Sequence, residues 1–303
     1  GQLQRYATDA YLARPGAPLF TRAKASGRTV VVIGAGAAGL ACAHGLARLG
    51  HAVVVLDANP KPGGLNEYGL ATYKTVDNFA QREIDWLLSI GGIDIRCNTA
   101  LGKDVTLDQL IADYDAVFLG LGLAGVNTIG ISEPTVPGLR NAVEFIAELR
   151  QSDDYATLPV GRRVVVIGGG MTAVDAAVQS RKLGAEQVTI VYRRGEDGMS
   201  ASAYEQNWAR KNGVTIRHWA APREVLSNSH GVTGMSFAVT TQKDGKLVET
   251  GATFELQADM VLKAIGQSFV AQPLGAGIEL QAGRIATDAQ GATSHPKVWA
   301  GGD

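Results

Sequence analysis

The sequence predicts an α/β protein with two domains, each built on a parallel β-sheet. An apolar, β-branched run at 29–33 is followed by closely spaced glycines, a helical stretch at 39–49 and a second apolar run at 52–56. This order is typical of a βαβ unit whose first strand is buried on both faces. The unit returns about 135 residues later, with apolar runs at 163–167 and 187–192. Because the unit is duplicated, we expect two Rossmann-like dinucleotide-binding domains.

Further strands are predicted around the two units. Apolar runs that end in glycine occur at 115–122 and again at 259–266. From 214 to 256 the apolar residues recur with a period near two, and turn signals stand at Asn228-Ser229 and Asp244-Gly245. This alternation predicts an antiparallel ribbon beside the second unit.

Composition restricts the class of protein. The chain has 303 residues, 46% of them hydrophobic, a formal net charge of −1 and no long basic run. This balance argues against nucleic acid and against an anionic membrane surface as the main partner. No apolar stretch reaches the roughly 20 residues that span a bilayer. The polar lead-in at 1–28, predicted to be a short helix and then extended chain, has no secretory signal pattern, so the expected location is the cytoplasm.

The cysteines exclude several kinds of site. Cys42 and Cys97 are the two cysteines of the sequence, and their spacing fits neither a metal site nor a redox pair. A disulfide scaffold, a structural zinc site and a four-cysteine iron–sulfur cluster within this segment are therefore excluded. We expect no metal ligands here, and we interpret both cysteines as packing residues.

The first glycine-rich turn has the pattern of a dinucleotide-binding fingerprint. Gly34-x-Gly36-x-x-Gly39 follows a strand and opens a helix, and Asp57 ends the next strand, 23 residues after Gly34. The glycines permit a tight turn and a close approach of backbone N–H groups to a pyrophosphate, which the positive end of the helix also attracts. The acid would accept hydrogen bonds from a ribose.

A glycine pair just past this acid bears on which dinucleotide binds. Gly63-Gly64-Leu65 would let the chain run close to the extended part of a cofactor that is longer than a bare adenosine. FAD is therefore favoured over NAD at the first site.

The second fingerprint differs from the first at the ribose position. Gly168-x-Gly170-x-x-Ala173 has the same spacing, but the strand that would end in an acid ends in Arg193-Arg194. An acid repels a 2′-phosphate, whereas a guanidinium group pairs with it through two hydrogen bonds. The arginine pair therefore favours NADP(H) over NAD(H), a preference that the nearby Glu196 would temper.

Together these residues resemble a known family. The chain is similar to the small, NADPH-oxidising flavoprotein subunit of bacterial glutamate synthase and to the corresponding module of dihydropyrimidine dehydrogenase. The resemblance extends over nearly the whole chain. The matching segments are Gly1–Asp9, Val32–Leu40, Gly63–Leu65 with Tyr68-Gly69, Gly168–Asp175, Val191–Arg194, Ala264–Gln267 and Ala300–Asp303. The sequence at 66–70 and 73–77 is most similar to that of the pyrimidine-reducing branch, which is therefore preferred.

The resemblance implies a domain organisation and a set of site residues. An FAD domain would be split into 29–132 and 267–303, with an NADPH domain at 133–266 inserted in its middle. With the first fingerprint, the implied FAD site consists of Gly34, Gly36, Ala37, Ala38, Gly39, Asp57, Gly64, Leu65, Lys74, Leu101, Gly122, Gly302 and Asp303. The implied NADPH site consists of Gly168, Gly170, Met171, Thr172, Ala173, Val174, Arg193, Arg194, Ala264, Ile265 and Gly266.

Three departures from the family pattern matter. Asp57 stands where the family usually has Glu, so the ribose contact would be made by a shorter arm. Met171 replaces a usual Asn, which leaves backbone contacts to the second pyrophosphate. The family's cysteine-rich iron–sulfur segment and its helix after Gly-Gly-Asp would both fall outside this sequence, so we expect the sequence to be part of a longer protein.

The function implied by the resemblance is electron input to a partner. Hydride would pass from NADPH C4 to flavin N5, and no catalytic side chain is predicted because the cofactors carry this chemistry. Electrons would then reach iron–sulfur clusters outside this segment, in an iron–sulfur- and FMN-containing catalytic subunit or domain. Dihydropyrimidine dehydrogenase, which reduces uracil and thymine, is the preferred system, and the glutamate synthase small subunit is the alternative. A flavin disulfide reductase and a non-catalytic nucleotide-binding protein are less favoured.

Overall fold

The computed structural model of the protein describes residues 2–14, 19–275 and 277–302, which divide into two compact units. The first unit comprises the described residues up to Glu67, Asp77–Ala124 and those from Phe269 onward. The second unit comprises Tyr68–Val76 and Gly125–Ser268.

Helices and strands alternate along much of the chain. Before Gly125 they are α1 (Gln2–Leu12), β1 (Thr29–Ile33), α2 (Ala37–Arg48), β2 (Ala52–Leu56), α3 (Leu65–Tyr68), α4 (Phe79–Leu88), β3 (Ile93–Arg96), α5 (Leu107–Asp113) and β4 (Ala116–Leu119). From Gly125 they are β5 (Gly125–Val126), β6 (Leu139–Asn141), α6 (Ala142–Gln151), β7 (Arg163–Ile167), α7 (Met171–Lys182), β8 (Gln187–Val191), α8 (Ala203–Lys211), β9 (Val214–Arg217), β10 (Ala220–Asn228), β11 (Gly231–Lys243), β12 (Lys246–Gln257), β13 (Met260–Lys263) and β14 (Gln267–Ser268). The last strands are β15 (Leu280–Gln281), β16 (Arg284–Ile285) and β17 (Val298–Ala300).

A five-stranded parallel sheet forms the centre of the first unit, in the order β17-β4-β1-β2-β3. Its middle strand is rich in valine because both of its faces are covered. Val31 packs against a cluster that includes Leu107, while Val32 packs on the other face against a cluster that includes Leu40 of α2. Side chains alternate between the two faces of a strand, so consecutive valines are buried in different cores.

The second unit repeats this arrangement with the order β6-β13-β7-β8-β9, again parallel throughout. Val165 and Val166 of β7 enter separate cores on the two faces, as the consecutive valines of β1 do. The predicted α/β fold with two Rossmann-like domains is confirmed by this pair of sheets. No helix within the described ranges is both long enough and apolar enough to cross a membrane.

The predicted ribbon at 214–256 is correct in type but wrong at its start. β9 pairs in parallel with β8, and Val214 packs in the same core as Val188, so β9 is an edge strand of the parallel sheet. The antiparallel ribbon begins at Ala220 and consists of β10, β11 and β12. A short strand of alternating polarity fits either an antiparallel ribbon or the edge of a parallel sheet. In both positions one face of the strand can be buried while the other faces solvent.

The compact units have bounds that differ from the predicted domain bounds. β5 pairs with β14 in a two-stranded antiparallel ribbon, and the Asn127 N–H donates to the Gly266 carbonyl, 3.2 Å away. These bonds place 125–132 and 267–268 in the second unit. Tyr68–Val76 also belongs to the second unit, where the Tyr73 hydroxyl donates to Asp175 over 3.0 Å. The binding of FAD by one unit and NADPH by the other stays a prediction.

Candidate functional site

The first glycine-rich turn is held tightly between β1 and α2. The Gly34 N–H donates to the Leu56 carbonyl over 2.8 Å, and Gly36 is the N-cap residue of α2. A Cβ on Gly39 would lie 1.8 Å from the Gly34 carbonyl oxygen, so only glycine lets the helix approach the turn this closely. Ala37, Ala38 and Gly39 therefore form the first turn of α2, whose backbone N–H groups are the donors that bind phosphate in this fold.

Asp57 lies at the end of β2 beside this turn, with 6% of its surface exposed. One carboxylate oxygen accepts the Ala35 N–H over 2.6 Å, and the other accepts the backbone and side-chain N–H groups of Asn59 over 2.8 and 3.0 Å. A carboxylate can accept about four hydrogen bonds, so these three do not exhaust its acceptor capacity, and the predicted ribose contact stays a prediction. The shorter arm of Asp57 thus braces the glycine turn, a role that sequence reasoning missed together with Asn59.

A second segment crosses the first turn at its glycines. A Cβ on Gly64 would lie 2.7 Å from Gly36 Cα, and the Gly63 N–H donates to the Ala35 carbonyl over 2.8 Å. A side chain at Gly64 would push the two segments apart, so glycine at this position lets their backbones lie in contact. Leu65 follows at the start of α3 and is 58% exposed. The structure therefore brings Gly36 and Gly64 together, and the predicted approach of this segment to FAD stays a prediction.

The carboxyl ends of β4 and β17 enclose a cavity of about 230 Å³. Gly122 and Gly302 line it, and a Cβ on Gly302 would lie 2.9 Å from Ala38 Cβ, at the start of α2. Ligands of open α/β sheets bind at this edge. The structure adds lining residues that sequence reasoning missed, among them Phe269, Arg284 and Thr287.

Another predicted FAD residue, Leu101, does not line this cavity. Leu101 is buried in a core cluster of the first unit and forms an isolated bridge with Val105. Asp303 lies outside the described residues. Arg284 is carried by the short β15–β16 hairpin, whose sequence has no motif that could have indicated it.

Lys74 lies in the second unit, in a buried cluster of charges. Its Nζ is 2.8 Å from Asp175 and 2.9 Å from Glu205, with Asp175 on α7 and Glu205 on α8. Burial opposes its charge, but hydrogen bonds to the two carboxylates outweigh burial and raise the pKa of Lys74. Burial and Asp175 likewise raise the pKa of the neighbouring Tyr73 hydroxyl. These contacts fix 68–76 on the helices of the second unit, and the predicted FAD contact of Lys74 stays a prediction.

The second glycine-rich turn repeats the geometry of the first. The Gly168 N–H donates to Val191, and a Cβ on Gly168 would lie 2.1 Å from the Ala264 carbonyl oxygen. Gly170 is the N-cap residue of α7, and Met171 is 58% exposed at its first position. Thr172 follows half-buried, and Ala173 and Val174 are buried beneath it. The turn and the strand end at Ala264 are thereby brought together, and their predicted contacts with NADPH stay a prediction.

The chain after Ala264 is also fixed in place. The Asn127 side-chain amide donates to the Ile265 carbonyl over 3.3 Å, and the Asn127 N–H bonds Gly266. Lys263, just before, forms a 2.5 Å ion pair with Glu133. Burial alone would raise the pKa of Glu133, but the hydrogen bonds from Lys263 and from a backbone N–H hold it below its ordinary value. This pairing was not visible in the sequence because the partners are far apart along the chain.

Arg193 and Arg194 continue from β8 with exposed side chains. Their backbone is braced: the Thr240 hydroxyl donates to the Arg193 carbonyl over 2.7 Å, and the Trp219 N–H donates to the Arg194 carbonyl over 3.2 Å. Neither guanidinium group forms an ion pair with any described residue. The pair therefore has a fixed backbone and two exposed cationic side chains.

Glu196, the acidic residue close to this pair, forms an ion pair with another arginine. Glu196 lies 2.7 Å from the Arg210 guanidinium group, whose hydrogen bond and charge hold the pKa of Glu196 below its ordinary value. Burial lowers the pKa of the adjacent His218 imidazole. The carboxylate that could oppose an anion at Arg193 and Arg194 is thus already compensated.

Comparison with known proteins agrees with this geometry. The profile of the pyridine nucleotide-disulphide oxidoreductase family matches residues 28–303. The NADPH glutamate synthase small chain of Escherichia coli is 35% identical over 329 aligned positions, which cover all of this chain and 69% of that protein. The beta subunit of the NADP(+)-dependent formate dehydrogenase of Moorella thermoacetica is 34% identical, over 93% of this chain and 41% of that subunit.

A solved structure supports the fold. Mycobacterium tuberculosis FprA, in complex with NADPH, superposes with a TM-score of 0.73 at 20% identity, over 91% of this chain and 78% of that chain. The chain thus spans about two thirds of one relative and less than half of the other. It belongs to the pyridine nucleotide-disulphide oxidoreductases, in the group that includes the NADPH glutamate synthase small chain.

Proposed function

We propose that this chain is the electron-input module of a larger reductase, in which the first unit binds FAD and the second binds NADPH. The observation that supports this proposal is a difference between two otherwise similar βαβ units: the residues that follow β2 differ in charge from those that follow β8. In the first unit the strand ends in the buried carboxylate of Asp57, and in the second it ends in the exposed Arg193 and Arg194. A ribose with free hydroxyls suits the acid, and a ribose 2′-phosphate suits the arginines.

The residues of the chain bind and orient the cofactors, which are FAD and NADP(H). Bound together, these cofactors supply hydride transfer from nicotinamide to flavin without a protein acid or base. The first turns of α2 and α7 offer backbone N–H groups to the two pyrophosphates. Asp57 holds a ribose of the first nucleotide, and the glycines at 64 and 302 let their segments lie against Gly36 and Ala38 at the start of α2. The module is therefore an NADPH-dependent FAD oxidoreductase.

A disulfide-reducing mechanism is not supported by the cysteines of this sequence. Burial raises the pKa of the Cys42 thiol to about 11 and also raises the pKa of Cys97. Both thiols are thus protonated at neutral pH, and only the thiolate is an effective nucleophile. We therefore favour transfer of electrons to iron–sulfur clusters of a partner subunit or domain.

The identity of that partner has two candidates. The sequence at 66–70 and 73–77 supports pyrimidine reduction with a dihydropyrimidine dehydrogenase partner that carries iron–sulfur clusters and FMN. The 35% identity to a glutamate synthase small chain supports glutamate formation instead. A formate dehydrogenase subunit is about equally similar, so overall identity does not select the partner.

Reconstitution should separate these candidates. The full-length protein, loaded with FAD, is mixed with each partner subunit, and NADPH oxidation is followed with uracil or with glutamine and 2-oxoglutarate. We expect uracil-dependent oxidation with the pyrimidine-reducing partner and a background rate with the glutamate synthase partner. Glutamate formation without uracil reduction would reverse this choice and leave the cofactor assignments intact.

A further inference from the structure

Trp219, between β9 and β10, has an unusual backbone conformation. Its φ of +58° lies in the left-handed region, which bulky side chains rarely adopt because Cβ crowds the following carbonyl. Such outliers persist where surrounding contacts determine them, and they concentrate at binding sites.

Two hydrogen bonds fix this residue against the arginine pair. The Trp219 N–H donates to the Arg194 carbonyl over 3.2 Å, and its carbonyl accepts the Thr240 N–H over 2.8 Å. Thr240, which is buried, also donates its hydroxyl to the Arg193 carbonyl over 2.7 Å. Thr240 thus anchors the backbone of both the tryptophan and the arginines, which fixes their positions relative to each other.

The indole ring lies against the residue that follows the arginines. A Cβ on Gly195 would stand 2.8 Å from Cζ2 and 3.2 Å from Cε2 of Trp219, so the ring occupies the space where a side chain at 195 would project. The backbone φ of Gly195 is −71°, which any residue can adopt. Glycine is therefore required here by the tryptophan and not by the backbone.

The chemistry of the proposed ligand matches this arrangement. In NADPH the 2′-phosphate and the adenine are attached to neighbouring carbons of one ribose, so a phosphate bound at Arg193 and Arg194 leaves the base close by. Indole rings stack on purines, and Trp219 is a half-buried residue whose ring lies against Gly195, next to the arginines. We propose that Trp219 is the platform on which the adenine of NADPH stacks. This inference rests on the proposed binding of NADPH to the second unit.

Binding of 2′,5′-ADP and of 5′-ADP to the FAD-loaded protein tests this role. Trp219→Ala should weaken both nucleotides about tenfold, because both carry adenine, whereas Trp219→Phe should retain most of the affinity. Gly195→Ala should also weaken both, because the new Cβ displaces the indole without straining the backbone. Arg193→Ala should weaken 2′,5′-ADP and leave 5′-ADP, which lacks the 2′-phosphate, nearly unchanged.

The outcomes separate the two levels of the proposal. The adenine platform alone would be overturned if Trp219→Ala and Gly195→Ala both kept wild-type affinity for the two nucleotides while Arg193→Ala bound 2′,5′-ADP more weakly. An unchanged affinity for 2′,5′-ADP in Arg193→Ala would contradict the NADPH site itself. If Trp219→Ala does not fold, the Gly195→Ala and Trp219→Phe titrations decide the question.

Discussion

Gly39→Ala should yield a protein that retains no FAD and unfolds far more easily than the wild type. The added Cβ would lie 1.8 Å from the Gly34 carbonyl oxygen and 3.0 Å from its carbon. Both are backbone atoms, so the contact cannot be relieved by a side-chain rotation. Helix α2 must move away from the turn, and overpacking of this kind costs about 3 kcal/mol. The displaced helix no longer presents its N–H groups to the pyrophosphate.

Gly45→Ala is the matched control for this prediction. Gly45 lies on the same helix, and a Cβ there would meet nothing within 4 Å. Since alanine favours helix over glycine by roughly 0.5–1 kcal/mol, this variant should keep its FAD and be at least as stable as the wild type. Flavin absorbance per polypeptide and the thermal midpoint are measured for both variants. A Gly39→Ala protein that purifies with full flavin would refute the described packing of the turn.

Lys74→Met should destabilise the second unit by about 3 kcal/mol, because it leaves two carboxylates without their cation. The Asp175 side chain is 3% exposed and that of Glu205 is 14% exposed, so water compensates little for the lost Lys74 ammonium. Removing Asp175 as well, in Lys74→Met with Asp175→Asn, should recover part of the loss. Unfolding in urea, followed by tryptophan fluorescence, measures the change.

The control is an ion pair on the surface of the same unit. Arg162 and Glu186 are paired at 2.7 Å with side chains 75% and 58% exposed. Arg162→Ala should therefore cost less than about 1 kcal/mol. If Lys74→Met instead lost FAD at unchanged stability, Lys74 would act at the flavin and its structural role would be excluded.

The sequence predicted those parts of the site that depend on neighbours along the chain. The two glycine turns, Asp57 and the arginine pair lie within about 30 residues of their own fingerprints, and the structure places them at the corresponding strand ends. A βαβ unit folds this way because its helix must cover the strand that precedes it. Local pattern was therefore sufficient for the fold class and for the positions of the two glycine-rich turns.

Contacts between distant segments were not predictable. Tyr73 and Lys74 meet Asp175 about one hundred residues later, and nothing in their own stretch indicates that partner. Trp219 takes its position from Thr240 and from the end of β8, and Arg284 reaches its cavity on a two-residue strand without a motif. Such residues are specified by tertiary packing, which a single sequence does not display.

An anaerobic titration of the FAD-loaded protein with NADPH tests the proposed electron input most directly. Stoichiometric NADPH should bleach the flavin absorbance, and NADH should do so far less efficiently because it lacks the phosphate that Arg193 and Arg194 would hold. A protein that binds FAD but keeps it oxidised in excess NADPH would contradict the proposed transfer of electrons from NADPH to FAD.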